Sequence, residues 1–213
     1  MIKIQKGLDL PISGSPEPAI DSSINVRSVA VLGNDYVGMK PTMEVGEGDR
    51  VKRGSLLFTD KKREGVCYTS PAAGTVAAIN RGQKRALLSV VINVDGDDAE
   101  RFEAIADADI ATVDRARIVS TLVSSGLWVA LRTRPFSRVP PLDSVPRSIF
   151  VTAMDSNPLA ADPAPIIARE ADAFRIGLDV LARLTDGKVY VCSRPNVSLP
   201  QAGSDRVVVE TFA

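Results

Sequence analysis

PTMEVGEGDRVKRGSLLF, from Pro41 to Phe58, and SPAAGTVAAI, from Ser70 to Ile79, decide how the first part of the chain folds. In the first stretch Gly48-Asp49 and Gly54 bracket Val51, and an apolar run Leu56-Leu57-Phe58 follows. That is turn chemistry on both sides of a short strand. In the second, Pro71 and Gly74 punctuate the chain in the same way, with Val76 and Ile79 as the apolar positions.

Two facing strand-turn-strand units of this kind resemble the hammerhead, or barrel-sandwich hybrid, of biotinyl and lipoyl domains. In those domains a modified lysine sits at the tip of a tight hairpin between the halves. Here Asp60-Lys61-Lys62-Arg63-Glu64-Gly65 occupies the interval. Asp60-Lys61 has the residue types of a lipoyl site, but the expected tip, Lys61 to Gly65, is long and basic with its glycine late, and no Met-Lys-Met biotin motif is present. A solvated hairpin tip is the main reading of Lys61 and Lys62, and a carrier lysine is the alternative.

Outward from this centre, Val26 to Leu32 reads as a strand ended by Gly33-Asn34-Asp35, and Leu87 to Val94 as another closed by Asp95-Gly96. Ile2, Ile4, Leu8, Leu10 and Ile12 alternate as in a short edge segment, and Ser13 to Ser23 reads as loop. No helix is expected before residue 98.

The pattern changes near Glu100. Thr112 to Ser125 places Val113, Ala116, Val119 and Val123 three and four apart, with Ile118 and Leu122 on the adjoining row, and Gly126 stands at the stop. Ile149 to Met154 reads as a buried strand. Asp162-Pro163 opens a helix that turns Ile166, Ile167, Phe174, Leu178 and Leu181 inward and ends at Asp186-Gly187. Val189 to Cys192 and Val207 to Val209 are strands, which makes a βαβ unit with a parallel sheet. The fold class is α+β multidomain: an all-β barrel-sandwich hybrid over residues 1–100, then a Rossmann-like α/β domain over 101–213. A doubly wound sheet normally carries more strands than these, so the chain reads as a fragment of a longer protein.

Composition removes several functions. Histidine is absent from the 213 residues, so no Ser-His-Asp triad, Cys-His pair or His-ligated metal is available. Two cysteines, Cys67 and Cys192, are too few for a four-thiolate zinc site or an iron–sulfur cluster, and both are expected to be buried and reduced. Lys plus Arg and Asp plus Glu both number 26, which gives no overall field for nucleic acid. No apolar run approaches the roughly 20 residues that span a bilayer, and the N-terminus lacks the apolar core of a signal peptide. A cytoplasmic chain is expected, reaching a membrane only through partners.

Two stretches hold candidate binding residues. Gly126 to Phe136 contains the only tryptophan, Trp128, with Arg132, Arg134 and Phe136. Guanidinium groups beside aromatic rings suit a flat ligand or an anionic group, and they equally suit a packed Trp128 with arginines gripping the surface or a partner. Asp155, Ser156 and Asn157 follow a strand, where open α/β sheets place ligands, and they also have the chemistry of a turn before Pro158. No glycine-rich phosphate loop accompanies either stretch.

KGLDLP from Lys6, YVGMKP from Tyr36, DKK from Asp60, SGLWVALRTRPFS from Ser125 and VTAMDSNPLA from Val151 together resemble one family across the whole chain. It is the NqrA family, the A subunits of the bacterial sodium-translocating NADH:ubiquinone reductases. That family is about twice as long, and it looks like a relative of the flavin-carrying subunit of complex I and of the Rnf-type subunit. In those relatives a glycine-rich loop cradles flavin mononucleotide and NADH. The matching stretch here, Ala130 to Phe136, has no glycine, so the resemblance implies a lost FMN/NADH site and no cofactor bound by this chain. It also implies a peripheral position on the cytoplasmic face of the inner membrane. Such a protein docks on the membrane-embedded B subunit of the Na+-NQR complex and is associated with ubiquinone reduction. Trp128, Arg132, Arg134, Phe136, Asp155 and Asn157 are the candidate quinone- or partner-binding residues, with no catalytic residue and no metal ligand among them.

Overall fold

The computed structural model describes residues 1–3, 7 and 10–212. The chain divides into two compact units that do not follow chain order. One combines Ile24–Ala104 with Ala116–Ser144, and the other combines Met1–Ser23, Ile105–Arg115 and Val145–Ala213.

In the first unit seven antiparallel strands form two sheets. They are β1 (Ser28–Leu32), β2 (Pro41–Met43), β3 (Arg50–Val51), β4 (Leu56–Asp60), β5 (Arg63–Thr69), β6 (Gly74–Arg81) and β7 (Leu87–Val94). The sheet orders are β1-β7-β6-β3 and β2-β4-β5. The two quoted stretches meet through β3 and β6, where Arg50 pairs with Thr75 and Val51 with Gly74. Gly48 and Gly54 hold φ of +91° and +92°, the left-handed turns that the sequence pattern requires on either side of Val51. Alternation along β5, β6 and β7 buries Val66, Tyr68, Val76, Val90 and Ile92, while β4 buries Leu57 and Phe58 side by side. Burying two adjacent strand residues requires cover on both faces of the sheet. The segment 116–144 supplies one cover by lying along β5. Thr69 Oγ1 donates to Ser125 O at 3.2 Å, and Arg63 Nε donates to Val139 O at 3.2 Å.

The helix expected over 112–125 is α1 (Arg115–Ser124). Its buried residue is Ile118, while Ala116 is exposed, so the inward row passes through Ile118 and Leu122 rather than through Ala116. Gly126 ends the helix with φ +78°, and an added Cβ would lie 2.1 Å from Thr69 Oγ1. Gly126→Ala therefore meets both backbone strain and a clash, and is expected to cost about 1–3 kcal/mol in denaturant unfolding.

The second unit carries β8 (Ile149–Thr152), α2 (Ala164–Arg169), α3 (Ala171–Ala182), β9 (Val189–Ser193) and β10 (Val207–Thr211). All three strands are parallel in the order β10-β9-β8, the βαβ arrangement read from the sequence. Val189 and Val191 on the central strand are fully buried and pack with Ile167, Leu178 and Ala182. Three details differ from expectation. β8 is an edge strand with Phe150 exposed, so it is not buried; Phe150 stacks on Tyr190 at 5.3 Å along that face. The single expected helix is broken at Glu170 (φ −108°, ψ 38°) and ends at Ala182, before Asp186. Ile166 is half exposed, because it lies about 100° around the same helix from the buried Ile167.

Of the expected N-terminal edge segment, Ile4 and Leu8 lie outside the described residues. Ile2 forms a parallel bridge to Phe212, Leu10 and Ile12 are exposed, and Ser13 to Ser23 is loop as expected. Cys67 and Cys192 are free thiols and partly buried rather than buried; burial, then Glu44 near the first and Glu210 near the second, raises both thiol pKa values. Among the described residues no helix is long and apolar enough to cross a membrane.

Candidate functional site

The hairpin between β4 and β5 is where the structure departs most from the sequence reading. Arg63, Glu64 and Gly65 belong to β5, and the turn is only Lys61-Lys62, with Asp60 paired to Arg63. The expected five-residue tip is therefore wrong. Between the Thr59–Cys67 and Asp60–Arg63 pairs, Glu64, Gly65 and Val66 are the extra residues of a bulge, and Gly65 takes φ +83° there. Asp60 explains why so tight a turn holds. Its side chain is buried, and Oδ1 accepts from Lys40 N at 3.0 Å and Lys62 N at 2.9 Å. Lys61 N donates to Lys40 O at 2.8 Å. Asp60→Ala orphans two N–H groups and is expected to lower the unit's stability by about 1–3 kcal/mol, read as a shift of the urea midpoint at constant slope.

Beside this hairpin lies a cleft of about 220 Å³ lined by Tyr36, Val37, Gly38, Met39, Asp60, Lys62, Arg63, Tyr68, Arg138 and Val139. Its wall is aromatic. Tyr68 stacks on Phe58 at 4.6 Å and receives Tyr36 edge-on at 4.7 Å. Tyr68 is 1% exposed, yet its hydroxyl has no hydrogen-bond partner among the described residues. An orphaned buried hydroxyl costs about 1–3 kcal/mol. Burial, reinforced by Asp60, pushes the Tyr68 phenol well above its ordinary value of 10.0, and burial raises Tyr36 as well. Both stay neutral hydrogen-bond donors at neutral pH. A phenol whose folded pKa is raised contributes stability below the unfolded value and loses it as pH climbs. Phenolate absorbance and unfolding are accordingly expected to appear together in an alkaline titration above about pH 10, and Tyr68→Phe, which leaves Tyr36 as the raised phenol, is expected to move the unfolding to higher pH.

Arg132 stands behind the cleft wall, against Tyr36, and is not itself in the lining. Its guanidinium sits 5.1 Å from the Tyr36 ring centroid, donates to Leu131 O at 3.0 Å and Asp35 O at 3.4 Å, and also bonds Val129 O. Trp128 is 2% exposed and donates from Nε1 to Pro140 O at 3.0 Å. The loop that follows is closed by Thr133 N and Ser137 N, which donate to Arg138 O and Thr133 O, both at 2.8 Å. Arg134 and Phe136 are exposed on that loop, with Arg138 lying 5.8 Å from the Phe136 ring centroid.

The two halves of the chain match two family models. Residues 2–95 match the NqrA N-terminal barrel-sandwich hybrid domain, and residues 113–213 match the NqrA second α/β domain. The chain belongs to the NqrA family. Three of its relatives are named as the A subunit of Na(+)-translocating NADH-quinone reductase. The relative from Saccharophagus degradans is 59% identical over 213 residues, all of this chain and 48% of its own length. The one from Teredinibacter turnerae is 56% identical over 212 residues, all of this chain and 47% of its own. One from Pseudomonas aeruginosa is 54% identical over 213 residues, with the same coverage of 100% and 47%. The chain spans about half the length of the curated relatives it matches.

Within this NqrA-family chain the six candidate residues are divided between the two units. Trp128, Arg132, Arg134 and Phe136 belong to the barrel unit, where Trp128 is core and Arg132 packs on Tyr36, a lining residue of the cleft. Asp155 and Asn157 belong to the α/β unit and form a turn, with Asp155 Oδ1 accepting from Asn157 N and Nδ2 at 2.8 Å each. Sequence reasoning missed Asp60, Arg63, Tyr68 and Arg138 as site residues. It reached Tyr36 only through the YVGMKP string, and nothing in that string's spacing announces that Tyr68 lies against it.

Proposed function

We propose that the chain acts as part of the NqrA component of a sodium-translocating NADH–quinone reductase, an oxidoreductase and ion-translocating complex. It is peripheral, on the cytoplasmic face, docked on the membrane-embedded B subunit and binding no redox cofactor of its own. Its contribution to ubiquinone reduction is contact with the quinone. Family membership supports the complex. The observation that carries the contact is the orphaned Tyr68 hydroxyl in an aromatic-walled cleft. A quinone ring is flat, has two carbonyl acceptors and no donor, and the cleft exceeds the ~150 Å³ cavity that holds benzene. Tyr68 would donate to one carbonyl, the Tyr36 edge would pack on the ring, and Arg138 or Arg63 would approach the other oxygen.

Quinone-analogue binding, read by quenching of the single tryptophan, tests this. Tyr68→Phe keeps the ring, the packing and the tryptophan, and is expected to weaken binding by about tenfold, the value of one hydrogen bond. Unchanged binding in Tyr68→Phe rejects the cleft. Stoichiometric flavin or iron in the purified chain rejects the cofactor-free role.

The second reading is a lipoyl- or biotinyl-type carrier module with a modified lysine at the 61–62 hairpin, Lys61 or Lys62. The two-residue Lys61-Lys62 turn favours it, because the tip is as tight as a carrier's. The bonds by which Lys61 N donates to Lys40 O and Lys40 N donates to Asp60 Oδ1 weigh against it, since they dock the hairpin on the neighbouring loop. The intact mass of the chain made in its own host decides between the two.

A further inference from the structure

A second cleft, on the other side of the 36–41 loop in the barrel unit, has a different chemistry. It encloses about 640 Å³ and is lined by Lys40, Lys61, Arg81, Lys84 and Arg85, with no acidic residue in its lining. All five cations are exposed, and none is in an ion pair among the described residues, where the salt bridges of this unit use Arg50 and Arg117. Val37, Met39 and Leu87 give it an apolar floor. The whole chain is charge-neutral, so five unpaired cations in one cleft are a local concentration and not a reflection of overall charge.

The turn that carries two of these cations is an independent sign. Lys84 and Arg85 hold φ of +53° and +60°, consecutive left-handed positions where glycine would be easier on the backbone. Gly82 N donates to Ala86 O at 2.8 Å, and Arg81 Nη1 donates to Arg85 O at 3.1 Å, so the turn is pinned in this conformation. Long cationic side chains placed on a strained, fastened turn indicate strain kept for display of charge.

We propose that this cleft is a docking site for an extended acidic segment, with interspersed apolar residues, of a partner polypeptide. The cations come from three chain segments, at 40, 61 and 81–85, which suits an elongated ligand. A single phosphate is better served by buried donors that converge with fixed geometry, and a flat bilayer surface meets a concave cleft poorly. The two clefts share Tyr36 to Met39, but the inference rests on the five cations of this lining and not on Tyr68, which is absent from it.

The test is fluorescence anisotropy of the full chain with a labelled twelve-residue peptide of alternating Glu and Leu, across a salt series. Binding is expected to weaken with salt. Lys84→Glu with Arg85→Glu should weaken it by about tenfold or more, through two lost attractions and two added repulsions. Lys84→Gly with Arg85→Gly should weaken it less, while the melting temperature stays level or rises because the turn is relieved. Arg101→Glu with Lys188→Glu makes the same charge change outside the lining and should leave binding within about twofold. Equal loss in this control pair, or no peptide binding by the parent chain, overturns the proposal. Cleft-dependent binding of inorganic phosphate or of phosphatidylserine vesicles without binding of the peptide overturns it equally.

Discussion

Gly74→Ala is expected to cost at least about 3 kcal/mol, toward the upper end of overpacking substitutions and a large part of a domain's stability. Gly74 is buried at the junction of the two motif halves, paired with Val51 on one side and Val94 on the other. A Cβ there would lie 1.9 Å from Asn93 O and 2.9 Å from its carbonyl carbon. These are backbone atoms, so no side-chain rotation relieves the clash, and β6 and β7 must part. Gly48→Ala is the control, because Gly48 has positive φ but nothing within 4 Å of an added Cβ. It is expected to cost about 1 kcal/mol from backbone strain alone. Denaturant unfolding of both variants checks this. Similar losses for the two would mean that Gly74 serves only as a turn residue.

That contrast shows what the sequence makes legible. The glycines, Pro71 and the spacing of Val51, Leu57 and Val76 identify two strand-turn-strand halves, because turn chemistry and alternation are local. The βαβ unit is legible for the same reason, through Val189 to Cys192 and the helix start at Asp162-Pro163. What is not legible depends on distant partners. Arg63 to Gly65 looks like a charged loop, and it becomes strand because Val139 O and the segment 116–144 lie against it. The cleft needs Tyr36, Asp60, Tyr68 and Arg138, brought together from four chain segments, and no local pattern marks such a group. Trp128 and Arg132 stand out because an isolated tryptophan near arginines is conspicuous. Their roles are not decidable without knowing that Pro140 O, Asp35 O and Tyr36 wait for them.

Trp128→Ala separates those roles and is expected to be the most damaging of the candidate-site variants. The side chain is 2% exposed and its indole N–H satisfies Pro140 O at 3.0 Å. Truncating a buried tryptophan costs about 3–5 kcal/mol through lost transfer energy and the cavity left behind, and here it also removes a donor from a carbonyl. Trp128→Phe retains a ring and loses the hydrogen bond and part of the volume, for an expected loss of about 1–3 kcal/mol. Because the fluorophore is lost in both, far-ultraviolet circular dichroism in urea is the measurement. A tryptophan that served the ligand alone would behave differently: Trp128→Ala would unfold like the parent and lose only quinone binding. Arg132→Ala discriminates in the opposite direction. It exposes the carbonyls of Asp35, Val129 and Leu131 at a half-buried position and removes the cation beside Tyr36. A loss of about 1–2 kcal/mol is expected, with quinone affinity falling further than stability because Arg132 fixes the ring that borders the cleft. The order Trp128→Ala well above Arg132→Ala in stability loss, reversed in the ratio of binding loss to stability loss, is what a core tryptophan beside an arginine that fixes Tyr36 requires.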